Sequence, residues 1–501
     1  MKSSVSEKTF LIAGIIILFL SYFFTTSESV LTVHDDILTY AEVLHGDLVG
    51  TVKSYAVNGR ISHIPMTFLL WIPYYFRSVT AVRIFSAISV LFNMSGLYVL
   101  IKNNSGRYNA YLACLLFISF ACISNQHNLF VAYTFAHQLP IGIILFSFDL
   151  YIKYLKYDKL RHKITSSLLF FTACFMYEAV TVFFLMFAGI SLYRNRNEKF
   201  SRRIKYMIKD VFFHGIFLFV YLAVYVLWRY FYPSYYDGTT FFLKNPLMSL
   251  LALFKFSLGM TPMLPSLAML LKKYITWNEF IHSLNLWNIL APIIAGTAFY
   301  RVFPKIKKPE KTAPSVVLCI SGMIVPNVLI SLTEKYTYWA KQNAYSYVPS
   351  FYSYFFMIML AVTLFSTFKR GNVEKSVEKV FSVCVALVTL VCSLGNTAWN
   401  TYFNKNLDRY KAFEEAISSE YFDKIPDGTV IYIPDYSRIH NDMKLTEYYA
   451  DVYIPADVTF ENNYDNIDFS KPVVSMLYDE NTKKITVERV NSPPPKEVGA
   501  S

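Results

Sequence analysis

Eleven apolar runs dominate the first 395 residues, near positions 9–26, 81–101, 109–124, 138–155, 164–178, 179–193, 211–230, 286–303, 314–332, 350–368 and 377–395. Most are close to the roughly 20 residues that a helix needs to cross a hydrocarbon core of about 30 Å. In that core every backbone N–H and C=O must be bonded within its own segment, so such a chain folds as spanning helices. Charged residues make up 16% of the chain and hydrophobic ones 54%, against about 25% charged in a soluble domain. The expected fold is an all-α polytopic membrane protein of about eleven crossings.

Basic residues give the sidedness. Lys2 and Lys8 precede the first run, no small-residue cleavage site follows it, and it reads as a retained anchor with a cytoplasmic N-terminus. Segments 102–107, 153–163, 194–209, 301–311 and 369–379 are short and basic, and alternating crossings place all five on the cytoplasmic side. The polar segments 34–63, 125–138, 228–244, 272–282 and 334–350, with Tyr177-Glu178, then face outward. Two apolar pieces do not fit this count. Residues 64–76 carry Pro65 and Pro73, and residues 247–271 carry Gly259, Pro262 and Pro265; both read as interfacial or re-entrant.

The net charge of +12 does not point to nucleic acid. Residues 396–501 hold 18 acids and 11 bases, which leaves +19 on the first 395 residues, in loops where the positive-inside rule expects it. Composition changes near residue 396. A helix is expected over 400–419 and strands over 429–433, 473–478 and 484–490, with a turn at Ile425-Pro426-Asp427-Gly428. The domain reading is therefore a membrane domain over 1–395 with its first external loop at 27–63, an external α/β domain over 396–491, and a disordered tail over 492–501. The six cysteines all lie in apolar stretches and imply no disulfide framework.

The chemistry is expected in the first external loop. Asp35 and Asp36 stand where the first helix leaves the membrane, and carboxylates at that depth need a partner or a task. One of them could take a proton from a hydroxyl; the other reading is N-cap duty for a following helix. Arg60, in Asn58-Gly59-Arg60, could grip a phosphate or snorkel at the interface. Glu178 could bind substrate or form a structural ion pair. His63, Lys335, Lys341 and Tyr347 complete the candidate substrate-binding set, with Arg229 as a further external cation. His127, His137, Gln138, Tyr133 and Phe135 could stack on and hydrogen-bond sugar rings, or belong to an interface belt. His34, Asp35, Asp36, His45, Asp47 and His63 match no tight metal-binding spacing, and neither metal nor cofactor is expected.

The order of these features resembles the multi-spanning glycosyltransferases of the C superfamily: one helix, an Asp-Asp outer loop, then Asn58-Gly59-Arg60. Within that superfamily the chain is similar to bacterial and phage serotype-converting glucosyltransferases. Tyr177-Glu178, the Tyr345 to Phe355 stretch and Ile425-Pro426-Asp427-Gly428 add to the likeness. The resemblance implies transfer, with inversion, of a glucosyl or other hexosyl group from undecaprenyl-phosphate sugar to O-antigen of lipopolysaccharide at the periplasmic face of the bacterial inner membrane. It implies Asp35 or Asp36 as general base, Arg60 as the loop arginine, and a donor synthase and flippase acting upstream. Glu178, Asp237, Glu279 and Glu334 are each candidates for a second external acid. The alternatives are a transporter or flippase of lipid-linked sugars, expected to show broken helices in repeated halves, or a transferase of the same superfamily with another sugar or acceptor.

Overall fold

The computed structural model of the protein describes residues 2–234, 245–271, 274–308, 312–342, 344–368, 375–434 and 443–490. Asp237, the end residues Lys272, Lys311 and Lys369 of three polar segments, and the tail 492–501 lie outside the described residues. The chain divides into two compact units, Met1–Ser27 with Val49–Asn400, and Glu28–Leu48 with Thr401–Ser501.

In chain order the first helices are α1 (Lys2–Thr25), α2 (His34–His45), α3 (Leu48–Val57), α4 (His63–Tyr75), α5 (Val79–Ser105) and α6 (Arg107–Ser119). After a long loop come α7 (Leu139–Tyr157), α8 (Leu160–Met176), α9 (Phe184–Arg194), α10 (Phe200–Phe231), α11 (Pro246–Leu258), α12 (Leu264–Leu271), α13 (Trp277–Ser283) and α14 (Trp287–Val302). The last are α15 (Thr312–Ile324), α16 (Val328–Ser331), α17 (Glu334–Lys341), α18 (Val348–Phe368), α19 (Lys375–Ile417) and, in the second unit, α20 (Met443–Ala450). Every apolar run named above falls on one or two helices of this set. Among the described residues six helices are long and apolar enough to cross a membrane, and a seventh if α13 and α14, bent by 63°, form one span. The other runs give shorter helices, such as α6 with 13 residues and α8 with 17. This is a mostly helical, polytopic membrane protein.

In the first unit, polar side chains tie helices together where apolar surface gives no preference among partners. Asn288 donates to Ser393 and Thr397 across α14 and α19 at 2.9 and 2.8 Å. Asn327 donates to Ser353 of α18 at 2.7 Å. Two buried acids inside helices, Asp149 in α7 and Asp210 in α10, are both paired: Asp149 with Lys153 at 2.7 Å, and Asp210 with the Ser191 hydroxyl at 2.6 Å. The Pro-interrupted segment 247–271 is two short helices, and the break has a steric cause. A Cβ on Gly259 would collide with the Tyr345 carbonyl oxygen, so the chain turns where only glycine lets the two backbones meet.

The second unit is a small α/β body. Strands β1 (Thr429–Tyr432), β2 (Val458–Glu461), β3 (Val473–Asp479) and β4 (Lys484–Val490) form a sheet in the order β2-β1-β3-β4. β1 is parallel to β2 and β3, and β3 is antiparallel to β4. Side chains alternate along β1 as a pleated strand requires. Ile431 enters a core with Phe413, Ile417, Phe422, Tyr449, Phe460 and Met476, while Val430 joins Ile467 and Val473 in a second cluster. Ile37, Ala41 and Leu44, one face of α2, belong to the larger core. The sequence reading places residues 28–48 in the loop of the membrane domain; their apolar face packs them into the unit of the C-terminal sheet instead. β2 is not among the expected strands; it is held by its parallel pairing with β1, a contact distant in sequence.

Candidate substrate site

The site is built outward from a tight turn. α3 ends at Val57 and is anchored by the Trp228 indole N–H, which donates to the Ala56 carbonyl at 2.8 Å. Gly59 has φ +72°, and a Cβ there would collide with the Tyr232 carbonyl oxygen. Arg60 N–H then returns to the Tyr55 carbonyl at 3.1 Å, and His63 N–H donates to the Arg60 carbonyl at 2.9 Å. Asn58-Gly59-Arg60 is thus a left-handed reversal that sets the half-buried Arg60 between α3 and α4.

At the start of α4 three side chains form a chain of contacts. The buried Ser62 hydroxyl donates to Glu178 Oε1 at 2.6 Å, and Ser62 Oγ lies 3.3 Å from His63 Nδ1. Glu178 reaches this point because α8 stops at Met176, Tyr177 is extended, and a short 3-10 helix begins at Glu178. The His63 ring lies 5.5 Å from the Tyr55 ring and 6.4 Å from the His137 ring. Burial, and secondly the Arg60 guanidinium, hold the His63 imidazole well below its ordinary pKa, so the ring is neutral at pH 7.

The loop between α6 and α7 supplies the next wall. Tyr133 and Phe135 take positive φ, 50° and 73°, a conformation that costs non-glycine residues energy and persists only where surroundings enforce it. Here the enforcement is visible. The fully buried Gln138 side chain bonds Ser86, Ser89, Leu129 and Phe135, and Asn93 donates to the Gln138 carbonyl at 2.8 Å. The buried Arg83 donates to the Phe130 carbonyl at 3.1 Å and to Thr26 at 2.5 Å. The loop so fixed presents His137, 5.3 Å from the Tyr133 ring and 5.3 Å from the Tyr177 ring. It also presents His127, whose Nδ1 is 3.0 Å from the Tyr133 hydroxyl.

His127 connects this wall to α17. Its ring lies 5.5 Å from both Trp339 and Tyr347. The Lys335 ammonium sits 5.1 Å over the Trp339 ring, and Tyr336 packs 4.6 Å from Tyr347. Lys255 of α11 steadies the end of α17, donating to the Ala340 carbonyl at 2.7 Å. The segment before α18 is stitched to the loop by Asn125, which donates to the Ser346 carbonyl at 2.7 Å, and α18 itself by the Tyr352 hydroxyl, which donates to the His137 carbonyl at 2.8 Å.

Of the candidate residues, Arg60, His63 and Glu178 meet at one end of this array, and Lys335 and Tyr347 at the other. The rings of His137, Tyr133 and His127 run between them. Lys341 closes α17 and is exposed. Asp35 and Asp36 belong to the other unit. They occupy the first turn of α2, where the helix dipole favours negative charge, with Asp35 exposed and Asp36 at 1%. The N-cap of α2 is Val33, so neither acid caps it by side chain. Two other candidate acids lie elsewhere: Glu279 closes a capping box with Thr276 on α13, and Glu334 opens α17 as an exposed residue. His45 stacks on Tyr448, 4.1 Å between ring centroids. Among the described residues no three His, Cys, Asp or Glu side chains gather as a metal would require. Sequence reasoning misses Ser62 and Arg83. Arg83 carries a signal, since a cation just inside an apolar run is rarely idle.

No protein-family model matches this chain, and no curated protein is similar to it in sequence. Among solved structures it is similar to ArnT from Cupriavidus metallidurans in the apo state, at 12% identity and a TM-score of 0.43, over 95% of this chain and 94% of that one. The same protein bound to undecaprenyl phosphate matches at 12% identity and a TM-score of 0.39, over 94% and 93% of the two chains. The archaeal oligosaccharyltransferase AglB from Archaeoglobus fulgidus, in complex with an inhibitory peptide and a dolichol-phosphate, matches at 10% identity and a TM-score of 0.38, over 94% of this chain and 69% of that one. Likeness of this degree bears on neither substrate nor chemistry.

Proposed function

We propose that this protein is a membrane glycosyltransferase. It moves a glucosyl or other hexosyl group from a polyprenyl-phosphate donor, undecaprenyl phosphate in a bacterial inner membrane, to sugars of O-antigen at the periplasmic face. The observation that carries the reading is the array just described: a cation at Arg60 and the Glu178–Ser62–His63 group at one end, and a Lys335–Trp339–Tyr347 platform at the other. A guanidinium matches a phosphate with two parallel donors. Aromatic faces with polar edges suit sugar rings, which present C–H on one side and hydroxyls around the rim. The chain also resembles C-superfamily transferases in the order of its motifs.

In this reaction the acceptor hydroxyl attacks the anomeric carbon, the bond to the lipid phosphate breaks, and configuration inverts. Asp35 or Asp36 takes the hydroxyl proton as general base. Arg60 stabilises the charge that grows on the departing phosphate. Asp149, midway along α7, is paired with Lys153, and Asp210, inside α10, with the Ser191 hydroxyl, which weighs against the transporter alternative, where unpaired mid-span charges would mark the path. The direct test is reconstitution: the purified protein in liposomes, given undecaprenyl-phosphate [14C]glucose and O-antigen oligosaccharide. Label passing to the oligosaccharide supports the reading; label that stays on the lipid, or crosses the bilayer unchanged, contradicts it.

A further inference from the structure

We infer that Ser62 and Glu178 are positioning residues that fix the His63 ring with its proton on Nδ1, so that Nε2 accepts a hydrogen bond from a hydroxyl of the sugar substrate. The nature of that substrate rests on the transferase reading; the orientation of the ring does not.

A serine hydroxyl has one hydrogen, and at 2.6 Å Ser62 gives it to Glu178 Oε1. Ser62 Oγ can then only accept from His63 Nδ1, 3.3 Å away, so Nδ1 carries the proton and Nε2 the lone pair. Nε2 has no hydrogen-bond partner among the described residues and is not among the buried polar atoms left without one. It is therefore open to a ligand. The charged and titratable groups facing this ring are Arg60 from the preceding turn, Tyr55 from α3, His137 from the loop after α6, and Glu178 through Ser62. Burial and Arg60 both disfavour a second proton, which keeps the ring an acceptor. An acceptor beside a phosphate-seeking arginine discriminates usefully: it repels phosphate oxygens, which only accept, and welcomes hydroxyls, which donate. Glu178 on this account orients His63 and does not itself touch sugar.

The test is solid-state NMR of the full-length protein in lipid, labelled with [15N]histidine, with His63→Gln assigning the His63 signals by difference. Wild type should show protonated Nδ1 and bare Nε2. Ser62→Ala should release the ring to the commoner Nε2–H form, while Ser62→Thr, which keeps the hydroxyl, should retain the wild-type pattern. A wild-type ring protonated at Nε2, or unchanged in Ser62→Ala, overturns the relay. Undecaprenyl-phosphate glucose and then O-antigen oligosaccharide are added to the same sample. Movement of the Nε2 signal with the first assigns the hydroxyl to the donor, and with the second to the acceptor. A signal unmoved by both overturns the hydroxyl-binding role. In turnover assays Ser62→Ala should raise the KM of the substrate that moved the signal by about 2- to 12-fold, the range of one neutral hydrogen bond. Wild type that binds but never transfers contradicts the transferase reading alone.

Discussion

Gly59 is the residue on which the geometry around Arg60 turns. Its φ of +72° excludes most side chains, and the Tyr232 carbonyl, standing where a side-chain methyl would have to go, excludes the rest. Gly59→Ala should therefore cost about 1–3 kcal/mol of stability, seen as a lower apparent melting temperature in detergent, and should lower transfer by displacing Arg60. His63 gives a second prediction, in pH. Its pKa is lowered in the folded protein, so on acidification the unfolded chain takes up the proton first. Stability is then fully present above the ordinary imidazole value of about 6.5 and falls as pH drops below it. Melting curves between pH 7.5 and 5 should show this loss, and His63→Gln should flatten it.

At the scale of elements, α2 and α17 make opposite claims. The α2 residues Ile37, Ala41 and Leu44 are spaced at three and four, a helical apolar stripe buried in the core of the C-terminal unit. Ile37→Ala should cost about 2–5 kcal/mol and speed hydrogen exchange across residues 413–434 and 443–460, measured by mass spectrometry. α17 buries Tyr336, Thr337 and Ala340 and leaves Trp339 half-covered under Lys335. Trp339→Ala should leave the fold intact and raise the acceptor KM up to about tenfold, the worth of one good aromatic contact. Periodicity makes both helices readable only in part. Residues 34–63 read as a polar loop because His34, Asp35, Asp36, Glu42, His45 and Asp47 dominate the eye, yet most of the segment is helix. α17 is legible as an aromatic-rich segment but not as a platform, since its meeting with His127 depends on a loop whose strained Tyr133 and Phe135 no local pattern announces.

For the whole molecule, the apolar runs announce the long helices of the first unit, because bilayer thickness sets the length of a spanning segment and the need to bond the backbone sets its form. Of the C-terminal sheet, β1, β3 and β4 are readable from β-branched runs, whereas β2 and the membership of residues 28–48 depend on distant contacts. In the site, Arg60, His63 and Glu178 each stand out in the sequence; Ser62, which joins two of them, has no signature that separates it from any surface serine. The account stands or falls on hexose transfer that depends on the acids of α2. Linkage analysis and mass spectrometry of O-antigen should be compared between cells making the wild-type protein and cells making the Asp35→Asn, Asp36→Asn double variant at equal membrane levels. The account predicts an added hexose on the repeat unit with wild type and its loss with the variant; O-antigen that gains the same hexose in both would contradict it.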